Sequence, residues 1–393
     1  MLGAGTFAQA TFSASTVGLP ALGPALRSHY GLTLGETGVV LAATGIGMLF
    51  TLLPWGLVAD RVDERWVIAI GLTGAAVALA VASTTHGFAA VTAALVATGA
   101  LGASVNAASG RAIMAWFPRT ELGLALGVRQ TAIPIGGILG AVLLPVLASA
   151  GGTRAAFLFL AGACATGATV AATFVRGGGR TTRELELEEI SSPLRDPHMW
   201  LLGLGTGLYL VAQIGIISFV VLFLHDVRHV HSAWIVLAAI YVFATVARVG
   251  SGLISDRLGR RLRPLRAIGV ALALMTAAVA AATTAPLAIL IPLFVLAGAL
   301  SMAWNGLAYA AAAEAAGMRR TGAALGFQQT LLGLVVAGAP PAIAAIATHS
   351  WRAAFVVAAA APALGVLVLS QLSERARTRG TSATLPAARR TPD

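Results

Sequence analysis

The sequence predicts an all-α membrane protein of twelve transmembrane helices, arranged as two pseudo-symmetric six-helix bundles. Of its 393 residues, 58% are hydrophobic and only 10% are charged, whereas a soluble chain carries about 25% charged residues. The apolar residues form many runs of about 20, the length that a helix needs to cross a hydrocarbon core. In lipid every backbone polar group must be bonded within the protein, so these runs must be helices.

Twelve runs meet this requirement, and each ends at charged residues, proline or glycine. The first begins almost at Met1 and further spans follow it, so we interpret it as a transmembrane helix and not as a cleaved signal. The predicted spans are 3–26, 36–59, 66–84, 88–117, 122–149, 153–175, 199–224, 232–255, 266–284, 287–315, 321–347 and 351–371.

The spans divide into an N-terminal bundle (1–175) and a C-terminal bundle (199–371), joined by a cytoplasmic linker (176–198). The linker combines glycine, proline and mixed charge, which is typical of a plain linker, although its ELELEE stretch could instead form an amphipathic surface helix. The basic tail, 372–393, is predicted to be disordered because it has few large apolar residues.

Arginine alone supplies the 26 basic residues, and the net charge is +11. Such a charge could suggest nucleic-acid binding, but these arginines lie in short segments between apolar spans. Nineteen fall on the side that holds both termini, against four on the other side: Arg27, Arg154, Arg228 and Arg352. The positive-inside rule therefore predicts that both termini are cytoplasmic, and it accounts for the arginines without a nucleic-acid partner.

The two halves repeat one another. LGVRQT at 126–131 returns as LGFQQT at 325–330, an offset of 199, and RAAF at 154–157 returns at 352–355. Because both copies enter the membrane with the same orientation, the halves form a parallel repeat related by an axis along the membrane normal.

Two short loops carry the most specific motif. GLISDRLGRR at 252–261 follows an apolar span. GLVADRVDER at 56–65 is a weaker copy of it, with Asp63 and Glu64 in place of Gly259 and Arg260. The pattern G-x-x-x-D-R-x-G-R-R resembles the signature loop of the major facilitator superfamily (MFS), whose halves are themselves an example of parallel repeats. The resemblance covers nearly the whole chain and implies alternating access between two rigid bundles.

The signature loops are predicted to form an inner gate. Asp60 and Asp256 lie where helices end, near the N-termini of neighbouring spans whose dipoles favour an anion. With the adjacent arginines they would latch the gate when the protein opens outward; the alternative is that these charges only fix topology. The predicted gating residues are Asp60, Arg61, Arg65, Asp256, Arg257, Arg260, Arg261 and Glu314.

Arg111, Arg129 and Arg248 lie inside spans, about 10–12 Å from the cytoplasmic boundary by helical rise. Ionisable residues at such depth are costly and usually functional. No span centre carries a carboxylate, so we expect an electropositive cavity, in which guanidinium groups clamp carboxylate or phosphate. Arg111 and Arg129 could instead snorkel or pair with Glu314. The resemblance implies anion contact for Arg248, since small-anion transporters of this superfamily often carry a substrate arginine on the eighth span.

Several neutral polar and aromatic residues share these spans. Buried amides hydrogen-bond either to other helices or to a substrate, and the resemblance implies that the first, fourth, seventh and tenth helices line the cavity. Packing is the alternative for the aromatic residues. The predicted substrate-binding residues beside the arginines are Asn106, Asn305, Gln9, Gln213, Tyr209 and Trp304, and weaker candidates are Gln130, Gln328 and Gln329.

Two further patterns have structural interpretations. Gly136 and Gly140, in the fifth span with Pro134, have the small-xxx-small spacing that predicts close helix packing. His225, His229 and His231 cluster near Asp226 but lack a fixed ligand spacing, so we expect a solvated loop and no metal site.

WFP at 116–118 and WRAAF at 351–355 resemble bacterial cyanate, nitrate and organic-acid carriers. We therefore predict a secondary transporter of a small organic or inorganic anion, acting by exchange, uniport or proton symport. The resemblance implies that it acts as a monomer in the lipid bilayer of a bacterial-type inner (plasma) membrane. The alternative, a proton-coupled efflux antiporter, usually carries an embedded acid in its first half. An enzyme is not expected, because the spans contain no catalytic pairing, and no cofactor is predicted.

Overall fold

The structure, a computed structural model, describes residues 2–116, 129–175, 195–316 and 321–373, and within these ranges it contains helices and no strand. The helices of the first half are α1 (Leu2–Thr16), α2 (Gly23–Tyr30), α3 (Leu34–Arg61), α4 (Glu64–Ala82), α5 (Phe88–Trp116) and α6 (Ala132–Phe174). Those of the second half are α7 (Pro197–Ile217), α8 (Val220–Asp226), α9 (Ala233–Leu258), α10 (Leu262–Ala281), α11 (Leu287–Ala303), α12 (Asn305–Ala316), α13 (Thr321–Ala347) and α14 (Trp351–Ser370).

The predicted all-α membrane fold is confirmed. In the described part of the chain, ten helical segments are long and apolar enough to cross a membrane. One of them, α6, contains most of the fifth and of the sixth predicted spans and bends between them, where Gly152 has a φ of +69°. The first predicted span is divided between α1 and α2. The seventh and tenth predicted spans are likewise each divided between two consecutive helices, α7 and α8, and α11 and α12. With these adjustments the described helices correspond to the twelve predicted spans, of which residues 117 and 122–128 lie outside the described ranges.

The first span is not one helix as predicted from its length. It is α-helical to Thr16, forms a 3-10 turn at Leu19–Leu22 and resumes as α2. Pro20 and Pro24 lie at the starts of the two later segments. Proline has no backbone N–H to donate to the preceding turn, so it is tolerated where a helix begins and interrupts a continuing one.

Each half has its own hydrophobic core. One core consists mainly of residues 8–175 and includes the fully buried Phe12 and Phe157. The other consists mainly of residues 199–372 and includes Phe223, Phe294 and Phe355, whose rings contact one another with centroids 5.4–5.8 Å apart. Two separate cores allow the halves to move as units against a thinner interface.

The halves meet along two seams. On the first, α3 packs against α13, so closely that a Cβ added at Gly45 would lie 2.3 Å from Val336 Cγ1. On the second, α6 packs against α9, where Gly137 faces the Tyr241 ring and the Tyr241 hydroxyl donates to the Val17 carbonyl oxygen. The second seam carries the polar groups described below.

The end of the bundle that holds residues 61–65 and 257–261 is called the signature end, and the opposite end is the far end. The cross-seam contacts of α3 involve Gly38, Gly45 and Leu49, which lie toward the far end. The same helical face continues to Leu53 and Gly56. Leu53 is 73% exposed, and a Cβ added at Gly56 would have no neighbour within 4 Å. The halves therefore close at the far end and separate toward the signature end.

The close packing predicted for the glycines of the fifth span is confirmed. A Cβ added at Gly136 would lie 2.4 Å from the Ala10 carbonyl oxygen, and one at Gly140 would lie 2.5 Å from the Gly18 Cα. Each obstructing atom belongs to the backbone of the first span, so it cannot move aside as a side chain would. These glycines allow α6 and α1 to approach at backbone distance.

We expect Gly136→Val to destabilise the first half by about 1–3 kcal/mol or more, as overpacking does where neighbours cannot relax. The measurement is the thermal unfolding midpoint of detergent-solubilised protein. Gly162→Val is the matched control, because a Cβ at Gly162, also in α6, would have no neighbour within 4 Å. Equal losses of stability in the two variants would contradict the packing argument.

Candidate functional site

Two arginines, one from each half, come together on the α6–α9 seam. Arg248 lies on α9, and its Nη1 donates a 3.0 Å hydrogen bond to the Gln130 carbonyl oxygen of the first half. Arg129 is the residue before Gln130, in the helical residues that precede α6. Arg248 Nε also donates to the Met302 carbonyl oxygen at 3.3 Å. Arg248 is thus bonded to the residue next to Arg129, and both guanidinium groups lie within electrostatic reach of Tyr309.

Arg129 is held by α5. Its Nε donates to Ser109 Oγ at 2.8 Å, and its Nη2 donates to the Asn106 carbonyl oxygen at 3.1 Å. Ser109 in turn donates to the Val105 carbonyl oxygen, so its hydroxyl is oriented to accept from the arginine. These neutral acceptors fix the direction of the Arg129 side chain, but they do not neutralise its charge.

The positive charge of the pair has no carboxylate partner among the contacts described. Arg248 Nη2 is buried and has no hydrogen-bond partner within the described ranges. The described carboxylates belong to helix ends: Glu314, two residues before the end of α12, bonds to Arg261, and Asp226 ends α8. A buried cation without a counter-charge is costly, and the described contacts of this pair supply hydrogen-bond acceptors but no negative charge.

Tyr309, on α12, is a site residue that the sequence interpretation missed. It interacts electrostatically with both Arg129 and Arg248, and its hydroxyl hydrogen-bonds the Gln329 side chain of α13. A phenol can both accept from a guanidinium group and donate to an anion, which a carboxylate cannot do. The available signal was its position four residues after Asn305, on the same helical face.

The predicted neutral residues include several buried polar atoms that lack a partner in the described part of the chain. They are Gln9 Oε1 on α1, Gln213 Oε1 on α7, Trp304 Nε1 between α11 and α12, Asn305 Oδ1 at the start of α12, and Gln328 Oε1 on α13. Trp304 is 1% exposed and Gln9 is 3% exposed. Buried polar atoms are usually hydrogen-bonded, so orphaned ones on these helices are candidates for ligand contact.

Tyr209 is placed in the packing of the second half, apart from the arginines. Its hydroxyl donates to the Leu265 carbonyl oxygen at 3.3 Å, and its ring fills space left by Gly269 and Gly365. It also contacts Trp304 edge-on, with ring centroids 6.1 Å apart. This arrangement favours a packing role for Tyr209, the alternative noted for the aromatic residues.

Two predicted residues lie outside the described side chains. Arg111 falls in the last turns of α5 and Asp60 in the last turn of α3. Arg61, Arg257 and Arg260 are exposed at the signature end.

The second signature loop is tied within its own half. Arg261 Nη1 lies 2.6 Å from Asp256 Oδ1, and its Nε lies 3.0 Å from Glu314 Oε1. Arg261 Nη1 also donates to Ser255 Oγ at 2.9 Å. Burial lowers the pKa of Arg261, but the hydrogen bonds and charges of Asp256 and Glu314 outweigh this effect and raise it above its ordinary value. The loop is thus a rigid connection between α9, α10 and α12.

The first signature loop has a different local structure, and the sequence difference explains it. In the second copy Gly259 adopts a left-handed conformation, φ +60°, and caps α9. The first copy has Asp63 at the equivalent position, where it accepts from the Arg65 N–H and begins α4. Arg65 lies over the Trp66 ring, 4.7 Å from its centroid. A glycine turn has been replaced by an N-cap.

A charged contact joins the halves at the far end. Arg27, on α2, forms an ion pair with Asp226 of α8, and its Nε donates to the Leu32 carbonyl oxygen at 3.3 Å. His225 Nδ1 lies 2.8 Å from the other oxygen of Asp226, and the His225 and His231 rings are in edge contact. In the described ranges no group of three or more His, Cys, Asp or Glu side chains is arranged to hold a metal ion.

The sequence matches the Major Facilitator Superfamily over residues 5–340. An uncharacterised MFS-type transporter of Mycobacterium tuberculosis is 30% identical over 335 residues, which cover 84% of this chain and 75% of the relative. The uncharacterised transporter YybO of Bacillus subtilis is 28% identical over 142 residues, 36% of this chain and 33% of the relative.

Solved transporter structures share the fold. A bacterial homologue of the human lysosomal transporter Spinster, inward-facing and unoccupied, has a TM-score of 0.75 at 16% identity and covers 94% of both chains. The nucleoside transporter NupG has a TM-score of 0.78 at 13% identity, covering 94% of this chain and 98% of its own. The xylose transporter XylE from E. coli, partially occluded and inward open, has a TM-score of 0.75 at 15% identity. The match covers 95% of this chain and 98% of XylE. The family match over most of the chain, together with the signature loops and the two-bundle fold, shows that this chain belongs to the Major Facilitator Superfamily.

Proposed function

We propose that this transporter carries a small organic or inorganic anion across the membrane by alternating access. Membership of the superfamily makes it a transporter of small molecules in a lipid bilayer, and the anionic substrate is our inference. The observation that supports it is the meeting of Arg129 and Arg248, one from each half, on one seam with neutral acceptors as their described partners.

An anion would satisfy this site better than any other small molecule. It would supply the counter-charge that is absent from the described contacts of the two guanidinium groups, and it could bond bidentately to the Nη2 edge of Arg248, which has no partner in the described ranges. Tyr309 could donate its hydroxyl hydrogen to a remaining anion oxygen. Because each half contributes one arginine, the bound anion would link the halves, which is what alternating access around a central site requires.

The neutral polar residues fit a supporting role in the same site. Gln9 and Asn305, on helices of opposite halves, each present a buried side-chain oxygen that has no hydrogen-bond partner among the described residues. Amide groups can donate to a substrate oxygen or accept from a substrate hydroxyl. They would help to orient a substrate that the arginines attract.

The direction of opening follows from the arginine distribution. With both termini in the cytoplasm of a bacterial cell, the separated signature end would face the cytoplasm and the closed far end would face outward. The structure would then represent an inward-facing state, in which Arg27 and Asp226 hold the outer side closed. The Spinster homologue and XylE structures are likewise inward-facing and partially occluded inward open.

The structural neighbours do not identify the substrate. NupG is a nucleoside transporter and XylE a xylose transporter, and at 13–15% identity they share the fold alone with this chain. The proposal of an anionic substrate therefore rests on the charge of the site.

The test is thermal stabilisation of purified protein by a ligand panel of carboxylates, inorganic oxyanions and cationic drugs. We expect one or more anions to raise the unfolding midpoint, because a ligand that binds only the folded state stabilises it by mass action. Stabilisation by cations alone would contradict the proposal and would favour a proton-coupled efflux antiporter. Stabilisation by no anion at millimolar concentration would also contradict it.

A further inference from the structure

The two seams that border the central space differ sharply in polarity. The α6–α9 seam carries Arg129 and Arg248. The α3–α13 seam is built from apolar contacts: Val336 against Gly45, and Leu49 Cδ1 3.0 Å from a Cβ added at Gly333. The charge is therefore concentrated on one side of the interface between the halves.

Equivalent positions of the internal repeat also differ in polarity at the depth of the arginines. Arg248 lies eight residues before Asp256, and its equivalent, Leu52, lies eight residues before Asp60. The two positions thus have the same depth on pseudo-symmetric helices, α9 and α3. Where one half places a guanidinium group, the other half places an isobutyl group.

Leu52 also lies on the face of α3 that looks toward the other half. It follows Leu49 by three residues, so the two side chains share one side of the helix. Leu52 is half-buried and Leu53 is 73% exposed, which leaves apolar surface beyond the last close cross-seam contact. Of the polar side chains of α13 on this face, Gln329 interacts with Tyr309, and the Thr330 hydroxyl donates to the Gly326 carbonyl oxygen.

From this polarity we infer that the substrate is an amphiphilic organic anion, with its charged group at Arg248 and Arg129 and an apolar body against Leu49 and Leu52. The inference rests on the proposed anion transport and narrows it. An inorganic oxyanion would satisfy the arginines but would leave the apolar wall wet, whereas an apolar body would remove that wall from water.

The experiment measures dissociation constants for methane-, propane- and pentanesulfonate by calorimetry on purified protein in nanodiscs. Sulfonates keep their charge at neutral pH, so the series changes only the apolar body. We expect affinity to rise about fourfold for each methylene that becomes buried, the ratio equivalent to about 0.8 kcal/mol. Equal affinity along the series, or tighter binding of nitrate and sulfate than of pentanesulfonate, would overturn the inference.

Leu52→Asn tests the assigned wall, and we expect it to reduce the gain per methylene to less than about twofold while methanesulfonate binding is unchanged. Leu57→Asn is the matched control, since it makes the same change about 140° around α3 from Leu52. A gain that persists in Leu52→Asn would overturn the assignment.

Anion transport and an amphiphilic substrate can be contradicted independently of each other. If the sulfonates bind and Arg248→Gln removes binding, but chain length has no effect, anion transport stands and the amphiphilic substrate is wrong. If no sulfonate, carboxylate or inorganic anion binds, the proposed function itself is wrong.

Discussion

Arg248→Gln is expected to reduce anion transport in proteoliposomes to background while the protein still folds. The guanidinium group would form the charge-assisted contact with the substrate, and removal of one partner from a buried charge pair costs about 2–5 kcal/mol, or about 30-fold to more than 1,000-fold in affinity. Glutamine can still donate toward the Gln130 or Met302 carbonyl oxygen, which accept from Arg248 now. The measurement is the rate of anion exchange, with the unfolding midpoint as the test of folding.

The unfolding midpoint of the Arg248→Gln protein provides an independent test of the role of Arg248. In the absence of ligand the buried Arg248 charge has no counter-charge among its described contacts, and such a charge destabilises the protein that contains it. We therefore expect the unliganded Arg248→Gln protein to be at least as stable as the parent. We also expect the anion-induced increase in the midpoint to disappear. A large loss of unliganded stability would instead indicate that Arg248 mainly holds the two halves together.

Two control variants separate charge from geometry. Arg248→Lys keeps the positive charge but loses the planar, bidentate geometry of the guanidinium group, so it should retain part of the parental transport rate. Arg154→Gln removes an exposed arginine far from the seam and should leave transport unchanged. Anion exchange at the parental rate in Arg248→Gln would show that the arginine does not bind the substrate.

The helical spans were predictable because each is long, apolar and bounded by charge or proline. Their interruptions were harder to predict, because the run from Phe7 to Leu26 remains apolar through the break after Thr16. Hydropathy measures whether a residue prefers lipid and does not register the N–H that Pro20 and Pro24 lack. Likewise the bend at Gly152 depends on a backbone conformation, φ +69°, and not on polarity.

At the site, the sequence indicated which side chains are costly to bury but not what each one contacts. Arg248 was recognisable because an arginine two turns inside a span requires an explanation. Its partner, the Gln130 carbonyl oxygen, is 118 residues away in the chain and is a backbone atom, which no side-chain pattern reveals. Tyr309 was missed for a related reason, since a tyrosine in a span is usually a packing residue and only the fold brings it to both arginines.

The signature loops lead to the second expected result, which depends on the difference between their two local structures. Asp256 is bonded to Arg261 yet remains 66% exposed, so the present contact leaves much of its charge available. An ion pair exposed to this degree contributes only about 0–1 kcal/mol to stability. We infer that the main role of Asp256 is in the alternate state, when the signature ends of the two halves approach each other.

Asp256→Asn should therefore slow anion exchange by about tenfold, equivalent to about 1.4 kcal/mol in the barrier, with little change in the unfolding midpoint. Asp60→Asn should slow it less, by no more than about threefold, or about 0.7 kcal/mol. The first loop has lost the glycine turn, and its Arg65 lies on the Trp66 ring, whereas Arg261 bonds to both Asp256 and Glu314. The measurement is the exchange rate of each variant at matched protein density in the same liposomes.

Asp63→Asn is the control within the first loop, because asparagine caps a helix as well as aspartate does and should leave both rate and stability unchanged. If Asp60→Asn impairs exchange as strongly as Asp256→Asn, the two loops contribute equally and the glycine turn at Gly259 has no special role. If neither substitution slows exchange, the loop charges serve only to orient the chain in the membrane. An effect restricted to Asp256 would place the controlling latch on α9, the helix that also carries Arg248, so that one rigid segment would connect the substrate charge to the gate.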